Sequence, residues 1–598
     1  MTKTTPVFIL KYGSSVAMKD GSAFASASVH SVSDITNLVN GNGNKHLLYA
    51  TFEPNSWLLD GRQKLLPTSS TGIGFVSDTI SDVNGDFSSP ILLTITLDTT
   101  YTFEQLMRFS FSEISGDYCS ELKVEFRNSS DVLIDDQTYF PTTYEYRAEL
   151  PAKPIAGVKY IRVYFYSTNR PYRHLRLLDI GFDDILFRGN EIQSASLTEE
   201  ISRYSTELKS NVLDISLFSP TGEFSVVNTT GMFSALQENQ PADMYEEIDG
   251  VNNYMGRFYL EKFDSPTPNK MNLSFKDGIA LLDKSKYLGY FFSWDTLGMY
   301  PVPRQIYSDD LITEIINAAG LECEIDVDLE NIQMNGVLYI GTCRAALQQV
   351  LFSLGAYATC SRSNKILIHK AELSTDIVTP DYEFTSAEKS MLQSVDLKPL
   401  ITSLDLSYSV YVLNPATYIS DGVYLNEKKI FSGNIEVGHY IIDLHPDIIV
   451  DFIGKGAPIE PTITAVVSFV NHYHGDTHAE FNCTVAGTWN FYGSSTITVK
   501  KTNHTVSLSG STDTNKIVIK DCDFINISNR ENVANELFSY FQERYIQKIR
   551  LYATTIQPGD SVLVDTYGGK QIQGIVEKVK TNLSGGFISD VEIVGVLL

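Results

Sequence analysis

Residues 160–166 read Tyr160-Ile161-Arg162-Val163-Tyr164-Phe165-Tyr166, in which aliphatic or Phe side chains alternate with polar or Tyr side chains. The same period of two recurs in Leu93 to Leu97 and in Leu122 to Arg127. Because successive side chains of a β-strand point to opposite sides, each stretch predicts a strand with one face on a core and one face in water. Several such strands between turn-rich loops predict a β-sandwich over residues 38–188.

Working outward from these strands, the rest of the chain is also β-rich. The 598 residues include 33 Tyr and 32 Phe but only 10 Met, a composition typical of strands. Short apolar runs such as Val212 to Leu217 and Arg257 to Leu260 mark further strands. We therefore expect mostly antiparallel sheets with a few helices.

Three helices interrupt the strands. An apolar stripe with period 3.6 predicts a helix that starts with Ser308 as N-cap and ends before Gly320. A second helix is predicted from near Thr342 to Gly355, and the strand that follows completes a small α/β module. A third is predicted to begin at Ser528, with Glu531 three residues later as a capping box.

Charge and composition exclude several classes of function. With 46 Lys and Arg against 72 Asp and Glu, the net charge is −26, which repels phosphate backbones and argues against stable binding to nucleic acid. The longest apolar runs are far shorter than the roughly 20 residues of a membrane helix. The six Cys show no CxxC spacing and are interpreted as buried thiols.

Catalytic motifs are missing from the sequence. It contains no GxSxG elbow, no HExxH, no Walker A loop and no GxGxxG. Adjacent carboxylates such as Asp135-Asp136 point to opposite sides of a strand and cannot flank one scissile bond. We therefore predict that the chain is not an enzyme and carries no cofactor.

One histidine cluster has the spacing of a metal site. His472 and His474 share a face of a strand, and a turn at Gly475-Asp476 could return His478 beside them. Three imidazoles could bind zinc, although zinc sites usually have four ligands and no second cluster is near in sequence. The alternative is a polar hairpin tip with solvated histidines.

The sandwich carries aromatic and basic residues in or beside predicted loops. Aromatic rings stack on the apolar faces of sugars, and arginines donate hydrogen bonds to hydroxyls or carboxylates. The alternative is that Trp57 fills the core and the arginines are solvated. The candidate carbohydrate-binding residues are Trp57, Arg62, Tyr139, Arg170, Tyr172 and Arg173.

Residues from about 190 to 598 carry a family resemblance. The tract Glu191 to Ile201, the run Leu213 to Ser219 and the stretch Gly256 to Leu260 resemble, in that order, the hub domain of phage tail proteins. The helix from Gly341 to Val350 and the closing segment with Pro558-Gly559-Asp560 are similar to the same family. That family is the baseplate hub or tail-tip hub of phage tails and of tail-derived bacteriocins.

The sandwich resembles a second family. The stretch Tyr49 to Gly61 and the run Tyr160 to Phe165 leading to Arg176 to Phe182 are similar to galactose-binding-like jelly rolls. With both resemblances, the fold class is mainly β and multidomain, with a jelly-roll β-sandwich, hub β-barrels and a small α/β module. The predicted domains are an N-terminal arm (1–37), a galactose-binding-like sandwich (38–188), a hub β-barrel (189–300), the α/β module (301–377), a β-rich hub domain (378–527) and a helix with a C-terminal β-barrel (528–598).

The hub resemblance implies a structural role in the virion, or in a phage-tail-like particle, at the distal tail or baseplate. Such hubs are homotrimers that join the tail tube or distal tail protein to a spike or central fibre, contact the tape measure protein and line the distal channel. Assembly would take place in the bacterial cytoplasm, which suits six unpaired thiols. Two other functions stay open: a receptor-binding tail protein that recognises host cell-wall glycan through the sandwich, and a wall-degrading hydrolase.

Overall fold

The computed structural model describes residues 4–11, 22–25, 33, 38, 53, 73–103, 106–111, 116–149, 155–182, 184–218, 236, 238–249, 251–289, 292–294, 301–303, 306–385, 394–413, 418–420, 423–424, 427–443, 448–458, 467–471, 478–483, 486–510, 514–520, 522–552, 555–566 and 569–598. The chain forms two compact units. The first comprises Met1–Ser196, Leu213–Phe275 and Asn582–Phe587, and the second comprises Leu197–Val212, Lys276–Thr581 and Ile588–Leu598. The predicted mainly β, multidomain fold is confirmed.

The first unit is built from strands. They are β1 (Thr4–Lys11), β2 (Ser22–Ala25), β3 (Phe75–Ile80), β4 (Asp86–Phe103), β5 (Leu106–Phe111), β6 (Cys119–Arg127), β7 (Leu133–Tyr139), β8 (Glu145–Glu149), β9 (Ile155–Thr168), β10 (His174–Phe182), β11 (Asp184–Arg188), β12 (Ile192–Glu200), β13 (Val212–Phe218), β14 (Pro241–Ile248), β15 (Val251–Thr267) and β16 (Lys270–Lys276). A short 3₁₀ turn, Gly189–Glu191, lies between β11 and β12, and β12 continues into the second unit.

Strands β3 to β10 form a jelly roll. One sheet has the order β3-β10-β5-β8 and the other β2-β4-β9-β6-β7, with antiparallel pairing throughout. From β3 to β10 successive strands lie in opposite sheets, except for the hairpin β6–β7, and this is the connectivity of a jelly roll. Alternating residues of β4, β6 and β9, among them Leu93, Val124 and Val163, are fully buried in one core with Phe109 and Leu177 of the other sheet. The period of two in the sequence of these strands therefore reflects the burial of one face of the sheet.

The remaining strands of the first unit lie outside the two jelly-roll sheets and pair in the order β11-β1-β14-β15-β16-β13-β12, as part of a larger sheet. Strand β1 pairs antiparallel with both β11 and β14, and Phe8, Ile9 and Leu10 are fully buried. The Phe8 ring packs against those of Phe187 and Phe275. Residues 1–37 are predicted as an arm, but Thr4–Lys11 form an interior strand because they are apolar enough to be buried on both faces of the sheet.

In the described part of the second unit, strands are mixed with four α-helices. The strands are β17 (Lys286–Tyr287), β18 (Phe292–Trp294), β19 (Pro301–Pro303), β20 (Ile306–Tyr307), β21 (Cys323–Ile325), β22 (Gln333–Met334), β23 (Gly341–Thr342), β24 (Ala356–Thr359), β25 (Ile366–Lys370), β26 (Tyr382–Phe384), β27 (Ser394–Leu397), β28 (Ser403–Leu413), β29 (Tyr418–Ser420), β30 (Val423–Tyr424), β31 (Glu427–Ile435), β32 (Gly438–Asp443), β33 (Ile448–Pro458), β34 (Val467–Asn471), β35 (His478–Cys483), β36 (Gly487–Ser507), β37 (Lys516–Ile519), β38 (Tyr545–Tyr552), β39 (Ser561–Asp565), β40 (Gln571–Asn582) and β41 (Ile588–Leu597). The helices are α1 (Gly278–Leu281), α2 (Ser308–Asn317), α3 (Cys343–Leu354) and α4 (Arg530–Phe541), with a 3₁₀ turn at Val327–Leu329.

Helices α2 and α3 pack with the sheet β21-β25-β24 around one apolar core. The sequence predicts the start of α3 near Thr342 and its end at Gly355. Thr342 caps α3 by accepting a hydrogen bond from the Ala345 amide, and Gly355 ends it in the left-handed conformation with φ 61°. The predicted cap of α2 is wrong. Ser308 is the first helical residue, and its hydroxyl donates to the Leu329 carbonyl instead, because a nearby loop offers a buried acceptor.

Helix α4 packs on β28 in a second core, and β38 to β41 enclose a third. In that C-terminal sheet the order is β40-β41-β38-β27, while β39 pairs with β40 and β26. The predicted capping box is wrong: α4 begins at Arg530, and the Ser528 hydroxyl donates to the Asn526 side chain at 2.6 Å. Within the described part of the chain, no helix has the length and apolar character needed to span a membrane.

Candidate functional site

Several predicted carbohydrate residues meet at one end of the jelly roll, where the loops β3–β4, β5–β6 and β9–β10 lie side by side. The Tyr172 amide donates to the Asp82 carbonyl at 3.2 Å, and the Asn169 amide donates to the Tyr118 carbonyl at 3.0 Å. The Asn169 side chain closes a second bond, from Nδ2 to the Gly116 carbonyl at 3.1 Å. We call this surface, formed by residues 81–85, 116–118 and 169–173, the loop end.

A buried carboxylate organises the loop end. The Asp117 side chain is 2% exposed and accepts a hydrogen bond from Arg170 Nε at 2.7 Å. Arg173 Nε lies 3.5 Å from the same oxygen, so two guanidinium groups share one carboxylate. Arg170 is the more exposed of the two, at 44%. Both guanidinium groups are thus held by Asp117, and that of Arg170 is open to solvent.

Two exposed side chains lie on the same loops. Tyr172 has a φ of 57° and is 36% exposed, and Val83 is 64% exposed. An aromatic ring two residues from a solvent-facing guanidinium supplies the two kinds of group that bind sugars or other flat polar ligands. Sequence reasoning missed Asp117 and Val83. Nothing in the local sequence shows that Asp117 is buried, because its burial depends on the packing of three separate loops.

The other predicted carbohydrate residues lie elsewhere. Tyr139 does not lie at the loop end: its ring is 7% exposed in the sandwich core and packs edge-to-face on Tyr146, because the position alternates inward at the end of β7. Burial also raises the pKa of the Tyr139 hydroxyl. Trp57 and Arg62 lie outside the described residues.

The histidine cluster is described only in part. His478 is buried at the start of β35, opposite Asp443 in the register of β32. His472 and His474 lie outside the described residues. Among the residues that the structure does describe, no three His, Cys, Asp or Glu side chains are grouped to hold a metal ion. All six Cys are free thiols, as predicted, and five of them are buried while Cys323 is half-buried.

The residues that carry the hub resemblance form buried ties within the second unit. Glu199 is fully buried and accepts hydrogen bonds at 3.1 and 2.9 Å from Arg362. Glu200 lies 2.9 Å from the Lys578 ammonium, and the Ile201 amide donates to the Glu577 carbonyl at 2.9 Å. The short segment Leu197–Val212 is thereby fixed to residues hundreds of positions away.

Arg203 is the centre of these ties. Its guanidinium is 1% exposed and reaches Glu543 at 2.5 Å and Glu577 at 2.9 Å. The Tyr540 ring lies 4.7 Å from the guanidinium carbon, and Ser374 donates to the Glu543 carboxylate through both its amide and its hydroxyl. The arginine and the two carboxylates are all hydrogen-bonded. Loss of any one of them would leave a charge inside the protein without a partner, so the network stabilises the fold only when it is complete.

The closing segment shows a similar tie. Gly559 has a φ of 102°, and its amide donates to the Val576 carbonyl at 2.9 Å. A Cβ atom at this position would run into the Tyr357 hydroxyl. Asp560 accepts a hydrogen bond from the Gln557 amide at 2.8 Å, while burial raises its pKa to about 6. The motif Pro558-Gly559-Asp560 thus forms a tight turn with internal contacts.

No family model and no curated protein matches the chain. Among solved structures, it is similar to the 43 kDa tail protein of prophage MuSo2 from Shewanella oneidensis, at 10% identity and a TM-score of 0.36, covering 69% of this chain and 96% of that one. It is also similar to prophage tail protein gp18 from Listeria monocytogenes EGD-e, at 8% identity and a TM-score of 0.37, covering 69% and 91%. A virion of a native gene transfer agent particle follows at 12% identity and a TM-score of 0.27, covering 48% and 46%.

Proposed function

We propose that this chain is a structural protein of a phage tail or phage-tail-like particle, acting as the trimeric hub of the distal tail or baseplate. In this role it joins the tail tube or distal tail protein to a spike or central fibre, contacts the tape measure protein and lines the distal channel. It acts through interfaces and has no catalytic step. The predicted domain boundaries belong to this proposal.

One observation carries the proposal. Three residues of the tracts that resemble phage tail hubs, Glu199, Glu200 and Gly559, are held by hydrogen bonds and packing inside the second unit. Residues that form internal ties keep a scaffold in shape, whereas catalytic residues must reach a substrate. These residues therefore stabilise the fold of the second unit, which favours a structural role over the wall-degrading hydrolase.

The proposal is tested on assembled particles. Antibody raised against the chain should label purified tails at the end distal to the capsid, and mass spectrometry of those particles should find three copies per tail. Label along the whole tube, or absence of the chain from purified particles, would contradict it. Zymography of the purified protein on host cell walls gives an independent check, with no lysis expected.

A second function is favoured by the loop end. Arg170 faces solvent beside Asp117, and exposed Tyr172 lies two residues away, so this surface can recognise host cell-wall glycan. The full-length protein with Arg170→Gln and Tyr172→Ala should then bind host walls at least tenfold more weakly than the wild type. Equal binding of variant and wild type would rule out the loop end as the receptor site.

A further inference from the structure

The outer side of the jelly roll's five-stranded sheet carries a second organised surface. On β9, Ile161 and Val163 are fully buried, while Tyr160, Arg162 and Tyr164 on the opposite side are half-buried. We call the latter surface the tyrosine face. It consists of Tyr160, Arg162 and Tyr164 of β9 with their neighbours Leu92, Thr94 and Thr96 of β4 and Lys123, Glu125 and Arg127 of β6.

The strand register arranges these nine side chains in three rows. Tyr164 lies between Leu92 and Lys123, Arg162 between Thr94 and Glu125, and Tyr160 between Thr96 and Arg127. At the rise of a β-strand, the two tyrosines are about 13 Å apart along β9. The surface is therefore an extended platform with an aromatic ring toward each end and a guanidinium between them.

The charged side chains of the tyrosine face hold one another in place. Arg127 donates to the Glu125 carboxylate from Nε at 3.0 Å and from Nη2 at 2.8 Å. Lys123 donates to the other oxygen at 3.3 Å, and the Tyr164 hydroxyl lies 3.5 Å from the first. Partial burial opposes ionisation, but the hydrogen bonds from Arg127 and Lys123 prevail and lower the pKa of Glu125. The donors and acceptors are thus fixed before any ligand arrives.

Charge on this surface is balanced. Besides Glu125, Lys123 contacts Asp136 at 2.7 Å and Arg162 contacts Asp131 at 2.7 Å, so three cations meet three carboxylates. In a chain of net charge −26 this balance is local, and it provides no field that would attract a polyanion or a polycation. A ligand that both donates and accepts hydrogen bonds suits such a surface, and hydroxyl groups do both.

The two tyrosines of this surface also favour a sugar as the ligand. The faces of Tyr160 and Tyr164 offer apolar area to the C–H faces of sugar rings, while the charged groups between them meet the equatorial hydroxyls. Tyr and Arg are common in protein interfaces, but the Lys and Glu that share this surface are depleted there, so a protein partner is less suited than a saccharide.

We propose that the tyrosine face is a binding site for a neutral, linear saccharide chain lying along β9. The site goes beyond the structural role of the hub, and it is separate from the loop end, because it occupies the middle of the sheet and shares no residue with residues 81–85, 116–118 and 169–173. A tail protein with this site would contact host polysaccharide over several sugar units.

The test uses full-length protein and isothermal titration calorimetry with linear hexasaccharides of glucose, galactose and N-acetylglucosamine. At least one of the three should bind the wild type. The double variant Tyr160→Ala, Tyr164→Ala should weaken that binding at least tenfold, while Tyr164→Phe should keep it within about threefold because the ring remains. The matched control Tyr552→Ala, at a tyrosine of the second unit that is 61% exposed and belongs to neither candidate site, should leave it unchanged.

Several outcomes would overturn the inference. These are binding of none of the three hexasaccharides, equal loss with Tyr552→Ala, or a double variant that binds like the wild type. Circular dichroism and thermal unfolding identify a variant that fails to fold, in which case Arg162→Gln replaces it with the same expected loss. If the double variant instead loses a tail protein from purified particles while hexasaccharide binding persists, the surface is a protein interface. Each result leaves the trimeric hub to be judged separately, because neither tyrosine lies in the second unit.

Discussion

The tyrosine face and the Arg203 network use the same chemistry, arginine or lysine against carboxylate, at opposite degrees of burial. On the tyrosine face the side chains of Lys123 and Arg162 are 27% and 29% exposed, whereas those of Arg203 and Glu543 are 1% and 2% exposed. Partly exposed ion pairs contribute little to stability, so their donors and acceptors can form hydrogen bonds to a ligand at little cost to the fold. A buried pair cannot be exchanged, because either partner left alone would be a charge without water. The degree of burial therefore distinguishes the tyrosine face, which we propose binds a ligand, from the Arg203 network, which stabilises the fold.

The largest expected effect comes from breaking the buried pair. Arg203→Ala leaves the buried Glu543 and the partly buried Glu577 without their cation and should lower the free energy of unfolding by about 3–5 kcal/mol. Arg162→Ala, on the tyrosine face, is the matched control and should cost less than about 1 kcal/mol. Urea unfolding followed by circular dichroism measures both. Equal losses would show that burial does not separate the two regions.

A buried carboxyl of the first unit gives the next effect. Glu246 on β14 is fully buried, and burial raises the pKa of its side chain to about 8. The folded state then holds a proton that the unfolded state has released, so stability falls as pH rises between about 4.5 and 8. From pH 6 to pH 9 the wild type should lose about 2–3 kcal/mol relative to Glu246→Gln. Thermal unfolding at the two pH values checks this, and a loss of the same size in the variant would contradict it.

The third prediction separates backbone strain from steric contact. Gly559→Ala places a Cβ against the Tyr357 hydroxyl at a positive φ and should cost about 1–3 kcal/mol. Gly569 has a φ of 72° and open space around its would-be Cβ, so Gly569→Ala is the matched control for strain alone. The difference between the two midpoints of unfolding reports the contact. No difference would show that the turn at 558–560 is not tightly packed.

The smallest effect concerns helix caps. Thr342→Ala removes the hydroxyl that accepts from the Ala345 amide and should destabilise the second unit by about 1 kcal/mol. Ser528→Ala removes no cap, since its hydroxyl bonds to Asn526 rather than to the helix, and should stay within about 0.5 kcal/mol. A larger loss for Ser528→Ala would restore the capping box that the sequence suggests.

These contrasts show which features can be predicted from sequence. Period-two alternation identified β4, β6 and β9, since burial of one sheet face leaves a regular pattern in the chain. Thr342 and Gly355 were predicted because a cap depends on residues within one turn of the helix. Ser308 and Ser528 were mispredicted because their hydroxyls bind partners outside the helix.

The candidate sites were harder to predict for the same reason. Asp117 and Arg170 are 53 residues apart, and the pairing of Arg203 with Glu543 spans 340, so no local pattern announces either contact. The sequence indicates that Tyr139 lies in or beside a loop, but it is the last residue of β7 and its ring points into the core. The period-two pattern of β9 predicts which of its side chains face outward and so identifies Tyr160, Arg162 and Tyr164. Their neighbours on β4 and β6, on which the proposed ligand class depends, follow only from the strand register.

The most direct test of the central claim, that the chain is a trimeric hub, is the mass and symmetry of the purified full-length protein. Light scattering with negative-stain images should show a particle of about 200 kDa, three times 66.7 kDa, as a three-fold ring with a central hole. A particle that stays at 66.7 kDa across the concentration range, and also in the presence of its tail-tube partner, would contradict the hub.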